Sequence, residues 1–165
     1  VISIDPPPPV ESSGSGLLYS EQFYRILKGR LKDGGILAHW FPSDPRIKTN
    51  QTLKAVANAI QSEFPFVRVF RSVEGWGHHY FASMTPFEIP STEEFLKRVP
   101  LKARQDLSEW NKDKTAGQFY QELIKSEEPL KSSVSDDETF SITDDKPYNE
   151  YYLIRKTLRK ISERQ

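Results

Sequence analysis

The run Val1–Ile4, which ends at Asp5 and the four prolines 6–9, limits the fold more than any other part of this sequence. Its β-branched apolar residues favour a short buried strand, and proline lacks the amide hydrogen that a continuing ladder needs. We therefore predict a strand that stops in a rigid loop. Open α/β sheets bind their ligands beyond the carboxyl ends of their strands, which is where Asp5 stands.

Further apolar runs alternate with segments of helical periodicity. Strands are predicted at 36–41, 66–70 and 80–84, and helices at about 20–33 and 53–64. A turn-rich link at Glu74–Gly77 joins the last two strands and favours an antiparallel hairpin. The sequence therefore predicts an α/β fold with a mainly parallel sheet that ends in an antiparallel hairpin.

This pattern divides the chain into four regions. Residues 1–86 are predicted to form half of an α/β domain, and residues 87–125 an accessory helical region, which Ser91 and Glu94 open at capping-box spacing. Residues 126–146 are predicted to be an acidic loop, and residues 147–165 a C-terminal helix. The chain opens on a strand without an initiator methionine, so we expect a segment to precede it.

Charge and composition exclude several classes of protein. Basic and acidic residues number 23 each, which leaves no net charge to attract a nucleic acid, and no basic stripe is visible. No apolar run approaches the roughly 20 residues of a membrane span. The sequence has no cysteine and only three histidines, so we predict no metal site. These features favour a soluble, cytoplasmic protein.

Asp5 is the strongest candidate for chemistry. A carboxylate at a strand end, beside prolines of fixed φ, can accept a proton from an amine or hold it by hydrogen bonds. Asp-Pro also ends strands and starts turns for structural reasons alone. Spacing does not separate these two interpretations.

The other polar and aromatic candidates have simpler explanations. Imidazoles on strands, at His39 and at 78–79, are more often structural than catalytic. Trp40 and Trp76 are expected to pack against neighbours. Asp144–Asp145 is expected to stand at the N-terminus of the last helix, where negative charge is favourable.

Several segments resemble the spermidine synthase family from its catalytic-aspartate strand onward. They are Val1–Val10, Leu17–Tyr24 and Leu31–Leu37. Gly75–Ser83 is similar to the family's last hairpin, and Thr143–Tyr151 to the ending of its more divergent, often membrane-fused members. The resemblance implies the C-terminal half of a Rossmann-like class I methyltransferase fold, with extra C-terminal helices.

The resemblance also implies an activity. The family transfers an aminopropyl group from decarboxylated S-adenosylmethionine to an amine, a reaction of polyamine biosynthesis. Asp5 matches the aspartate that takes a proton from the attacking amine, and Pro9 and Leu17 match positions that flank the bound cofactor. The family resemblance implies no metal.

Three substrate-pocket positions depart from the family. Pro8 replaces a second aspartate, Trp40 replaces a polar amide, and Ser72 falls near an expected tyrosine. Because these positions hold the diamine in the family, the departures argue against putrescine as the acceptor.

Two other functions stay open at this stage. Asp5-Pro6-Pro7 resembles the loop of S-adenosylmethionine-dependent amino-group methyltransferases, and the chain could instead be a noncatalytic interaction domain. The family's glycine-rich turn and ribose-binding acid would precede Val1, so the chain is expected to be inactive alone. A missing N-terminal segment or a second copy is expected to cover the open edge of strand Val1–Ile4.

Overall fold

The computed structural model describes residues 1–6, 14–42, 50–72, 75–109, 112–133 and 141–151, together with positions 154, 157, 158, 161 and 162. Strands and helices alternate over the first half of the chain. In chain order the elements are β1 (Ile2–Ile4), a 3₁₀ turn (Ser15–Tyr19), α1 (Glu21–Lys28), β2 (Leu37–Pro42), α2 (Asn50–Glu63), β3 (Phe66–Arg71), β4 (Gly77–Ser83), α3 (Thr92–Arg98), α4 (Leu101–Glu109), α5 (Ala116–Lys125), β5 (Glu127–Glu128) and α6 (Leu130–Ser133).

The strands form one mixed sheet in the order β1-β2-β4-β3-β5. β1 and β2 are parallel, whereas β4 is antiparallel to both β2 and β3. The α/β class and the closing hairpin are therefore confirmed. The expected mainly parallel pairing is not seen among the described strands, because β4 folds back between β2 and β3 and separates two strands that run in the same direction.

One face of the sheet carries the apolar core. Leu37, His39 and Phe41 alternate along β2 as buried residues, as expected for a strand with one covered face. Helices α1 and α2 cover this face. The buried apolar cluster contains Tyr19, Tyr24, Leu37, Phe41, Ala55, Val56, Ala57, Ala59, Ile60, Phe64, Val69, Tyr80, Ala82 and Ile142.

Helix α1 is shorter than the predicted span of 20–33. The Ser20 side chain caps it by accepting a hydrogen bond from the Phe23 amide at 3.2 Å. The helix ends at Lys28 because Gly29, a poor helix former, takes the C-cap position. The following amide, of Arg30, bonds back to Leu27 as a turn at 2.9 Å.

Gly77 begins β4 at a position that excludes a side chain. Its φ is 145°, and an added Cβ would overlap the carbonyl oxygen of Phe41 on β2. Glycine is thus required where the hairpin turns in against the end of β2.

The accessory region contains three helices, and the capping box at its start is confirmed. Ser91 accepts from the Glu94 amide at 3.2 Å, and Glu94 accepts from the Ser91 amide at 2.9 Å. α3 ends before Pro100 and α4 begins after it. Helix α5 packs on the second face of the sheet, beside Phe70 and Phe81.

The end of the chain is more structured than the predicted acidic loop. β5 pairs with β3 in what was expected to be loop, and α6 follows it. Residues 135–138, the acid-rich stretch, lie outside the described residues. Asp144–Asp145 lies in a turn rather than at a helix N-terminus, and Thr143 donates a 2.7 Å hydrogen bond to Asp145. Among the described residues that follow this turn, the first helical position is 154.

Candidate functional site

Asp5 lies at the carboxyl edge of the sheet, directly after β1. The parallel register pairs Ile4 with His39, so one further step places Asp5 beside Trp40. Asp5 is exposed, whereas the following Pro6 is buried and holds the chain against the protein. A carboxylate held at its backbone but open to solvent can meet a ligand at this edge.

The charge of Asp5 reaches two neighbouring aromatic side chains. Burial raises the pKa of Tyr19 far above its usual value, and the Asp5 carboxylate raises it further. Burial and the neighbouring His78 lower the pKa of His79, and Asp5 opposes that effect. The Asp5 carboxylate thus acts on both side chains, and we call Asp5, Tyr19 and His79 together the Asp5 edge.

Behind Tyr19 lies a buried polar contact between α1 and β2. The Tyr24 hydroxyl is 3.0 Å from His39 Nδ1, and the Tyr19 ring stacks on the imidazole at 5.1 Å. Burial lowers the pKa of His39 to about 3, so the ring is neutral. Its buried Nε2 has no hydrogen-bond partner among the described residues. This environment fits the structural role expected for His39.

Trp40 and His79 are cross-strand partners on the opposite face of the sheet from His39. Both are half-buried. Trp40 therefore lies beside one member of the Asp5 edge, His79. Trp76 does not pack as expected, since it is 54% exposed in the β3–β4 turn.

Ser72 is at the same edge of the sheet but distant from Asp5. Its amide donates to Gly77 O at 2.8 Å, and its carbonyl accepts from Gly75 at 2.8 Å, so it shapes the hairpin turn. Three strand spacings of about 4.8 Å separate β3 from β1. A ligand group that touches Asp5 therefore lies roughly 14 Å from the strand of Ser72.

Of the expected cofactor contacts, Leu17 is the one that the structure describes. It is 53% exposed on the 3₁₀ turn, between buried Gly16 and half-buried Leu18. Pro8 and Pro9 lie outside the described residues. The structure therefore brings Trp40 next to Asp5, separates Ser72 from it, and leaves Leu17 open to solvent.

Sequence reasoning missed Tyr19 and Glu150. Tyr19 precedes the Ser20 cap, and this position gave no indication that the ring would stack on His39. Glu150 accepts hydrogen bonds from the amides of Gly14 at 2.8 Å and Gly16 at 3.1 Å. A contact between residues 136 positions apart leaves no periodic signal in one sequence.

Two cavities lie elsewhere in the described part of the molecule. One of about 240 Å³ lies between Phe70, Phe81 and Leu123, and another of about 470 Å³ lies between α4 and α5. Asp5 lines neither. Across the described ranges no group of three or more His, Cys, Asp or Glu side chains could hold a metal ion, and no helix has the length and apolarity to cross a bilayer.

Comparison with known proteins identifies no family for this chain. The sequence matches no protein-family model and has no significant match among curated proteins.

Proposed function

We propose that this chain is part of a spermidine synthase-like transferase in which Asp5 accepts a proton from an attacking amine. The observation that carries the proposal is the exposed Asp5 carboxylate at the carboxyl end of β1, in parallel register with β2. Ligands of open α/β sheets bind at such edges. The resemblance of Val1–Val10 to the family's aspartate strand is the reason for assigning proton acceptance to Asp5 at this edge.

The strand order supports the proposed fold. β1, β2 and β3 run in one direction, and the chain's next strand, β4, inserts antiparallel between β2 and β3. Class I methyltransferase-like sheets close with one antiparallel strand in this way, whereas most dinucleotide-binding sheets stay parallel. This support is analogy of fold, and function rests on the site.

The proposed reaction needs one proton acceptor and no redox chemistry. The amine nitrogen attacks the propyl carbon bonded to the sulfonium of decarboxylated S-adenosylmethionine. A C–N bond forms as the C–S bond breaks, and its electron pair neutralises the sulfur in the leaving thioether. The Asp5 carboxylate takes the proton that the new ammonium group loses.

Two described residues would contact such a substrate from one side. Asp5 supplies the carboxylate and Leu17 an exposed apolar contact for the nucleoside. We propose that another part of the protein supplies the ribose-binding acid, and that this part or a second copy of the chain covers the free edge of β1. β1 is the outermost strand of the described sheet on that side.

The acceptor amine is proposed to differ from putrescine. Trp40 comes one residue after His39 on β2, just as Asp5 comes one residue after Ile4, the partner of His39 on β1. Its indole has no carboxylate or amide oxygen. Ser72 is three strands away from β1. An acceptor with an apolar part beside its amine fits this edge better than a linear diamine with two charged ends.

Calorimetric titration of the full-length protein that contains this chain tests the proposal. Decarboxylated and ordinary S-adenosylmethionine are titrated into the wild type and the variants Asp5→Asn and Asp33→Asn. Asp33 is the control, because it is an exposed aspartate that precedes the N-terminal end of β2. We expect tighter binding of the decarboxylated compound. Asp5→Asn should keep this binding within a few-fold and lose roughly 10²–10⁴-fold in aminopropyl transfer, while Asp33→Asn should change neither.

Each outcome decides between functions. Preference for ordinary S-adenosylmethionine would replace aminopropyl transfer by amino-group methylation, which the Asp5-Pro6-Pro7 loop also resembles. Binding of neither compound by the full-length wild type would leave the noncatalytic interaction domain as the explanation.

A further inference from the structure

The C-terminal segment 141–151 lies against the 3₁₀ turn Ser15–Tyr19. Glu150 Oε1 accepts from the backbone amides of Gly14 and Gly16, at 2.8 and 3.1 Å. Beside it, the Asn149 side-chain amide donates to Ser15 Oγ at 3.4 Å, and Asn149 is fully buried. One carboxylate and one amide thus contact Gly14, which caps the turn, and its first two residues, Ser15 and Gly16.

The contact is tightly packed. Gly14 has a left-handed φ of 82°, which turns its amide toward the same carboxylate oxygen as that of Gly16. A Cβ added to Gly16 would lie 2.8 Å from Pro147 Cβ and 3.0 Å from Glu150 Oε1. Bonds from amides to a charged acceptor are stronger than neutral ones. The position of the turn is therefore closely tied to that of Glu150.

The turn carries two residues of the candidate site. Leu17 is exposed at its middle, and Tyr19 is buried at its end, against His39. The charge of Asp5 acts on Tyr19. Movement of the turn would consequently move an expected cofactor contact together with the ring that stacks on His39, the register partner of Ile4.

The segment has a second anchor that does not depend on Glu150. Ile142 is fully buried in the core, and its carbonyl accepts from the Glu21 amide at 2.9 Å. Loss of the Glu150 carboxylate should therefore loosen the turn without releasing the segment.

We infer that Glu150 is a positioning residue for the site at Asp5, whose carboxylate holds the Gly14–Tyr19 turn so that Leu17 contacts the cofactor. We assign Glu150 a positioning role because its Oε1 accepts hydrogen bonds from two backbone amides of this turn. The inference rests on the proposed function for the role of Leu17, whereas the contact itself does not.

Hydrogen exchange and cofactor binding in the full-length protein test the inference together. Glu150→Ala removes the acceptor, Glu150→Gln keeps a neutral one, and Glu93→Ala is a control at an exposed glutamate on α3. We expect Glu150→Ala to speed exchange of the Gly14 and Gly16 amides roughly tenfold or more, the effect of losing a hydrogen bond to a charged group.

The same variant should weaken binding of decarboxylated S-adenosylmethionine by roughly tenfold, with a much smaller change in turnover at saturating cofactor. Glu150→Gln should recover most of both losses, and Glu93→Ala should show neither. A general loss of stability would instead lower turnover and would speed exchange throughout the protein.

Unchanged exchange at Gly14 and Gly16 in Glu150→Ala would overturn the inference whatever the protein's function. Faster exchange with unchanged affinity would overturn the positioning role and leave the proposed role of Asp5 intact. If the wild type binds neither nucleoside, the proposed function fails and the positioning role fails with it, while the exchange rates still report on the contact.

Discussion

At the scale of single residues, His39 is a buried imidazole that the folded protein holds in its neutral form. It is 1% exposed, stacked on Tyr19 and 3.0 Å from the Tyr24 hydroxyl. Burial lowers its pKa from 6.5 to about 3. The folded protein therefore holds a neutral imidazole that the unfolded chain would protonate in mild acid.

We expect His39 to make the protein acid-sensitive. Between about pH 6.5 and pH 3 the unfolded chain binds a proton at His39 that the folded chain does not bind. The free energy of unfolding therefore falls as pH falls. At about 1.4 kcal/mol per pH unit, His39 accounts for about 2 kcal/mol between pH 6.5 and pH 5. Urea denaturation of wild type and His39→Phe at both pH values measures this difference.

The comparison concerns the pH dependence of the two proteins, because His39→Phe also loses the contact with Tyr24. His78 and His79 have lowered pKa values as well, mainly through burial, and will leave some acid sensitivity in the variant. An equal loss of stability in both proteins would contradict the prediction.

At the scale of elements, one carboxylate joins the two helices on the core face. Glu63, at the end of α2, accepts from Arg25 Nε and Lys28 Nζ of α1, each at 2.9 Å. Burial by itself would raise the pKa of Glu63, but the hydrogen bonds from Lys28 and Arg25 lower it overall. Glu63 therefore stays charged and links α1 to α2.

We expect Glu63→Gln to lower the free energy of unfolding by about 1–3 kcal/mol near pH 7, because two cations lose a charged acceptor. The lowered pKa means that this stabilisation is present above the unfolded value of about 4.5 and is lost as pH falls below it. Denaturant titration at several pH values measures both effects.

Glu93→Gln provides the control, since Glu93 is 78% exposed and pairs with Lys97 one helical turn away. An exposed pair of this kind contributes about 0.5 kcal/mol or less. If the two variants lost equal stability, Glu63 would be an ordinary surface charge.

At the scale of the whole molecule, the core is completed by the segment 141–151, which packs against the first part of the chain. Ile142 is fully buried in the same cluster as Tyr19 on the 3₁₀ turn and Phe41 on β2. The segment that carries it also holds Glu150 against that turn. The C-terminal segment is thus part of the α/β unit.

We expect Ile142→Ala to lower the free energy of unfolding by about 2–5 kcal/mol, the usual cost of an emptied core position. Ile154→Ala is the matched control, because Ile154 is 57% exposed and should change stability by about 0.5 kcal/mol or less. Chemical denaturation measures both. Similar effects of the two substitutions would mean that the core folds without the segment.

The sequence by itself determined the features that depend on neighbours a few residues apart. The Ser91–Glu94 pair was recognisable as a capping box because the two residues lie three positions apart. The apolar runs predicted the strands, and the prolines after Asp5 predicted the end of β1. The α/β class and the position of Asp5 at a strand end followed from these local signals.

Only the tertiary structure decided how distant segments meet. The insertion of β4 between β2 and β3, the pairing of β5 with β3, and the stacking of Tyr19 on His39 depend on register and packing. The Glu150 contact joins residues 136 positions apart. Periodicity records which face of an element is buried but not which partner buries it, so the sequence indicated Asp5 and left the residues around it to the fold.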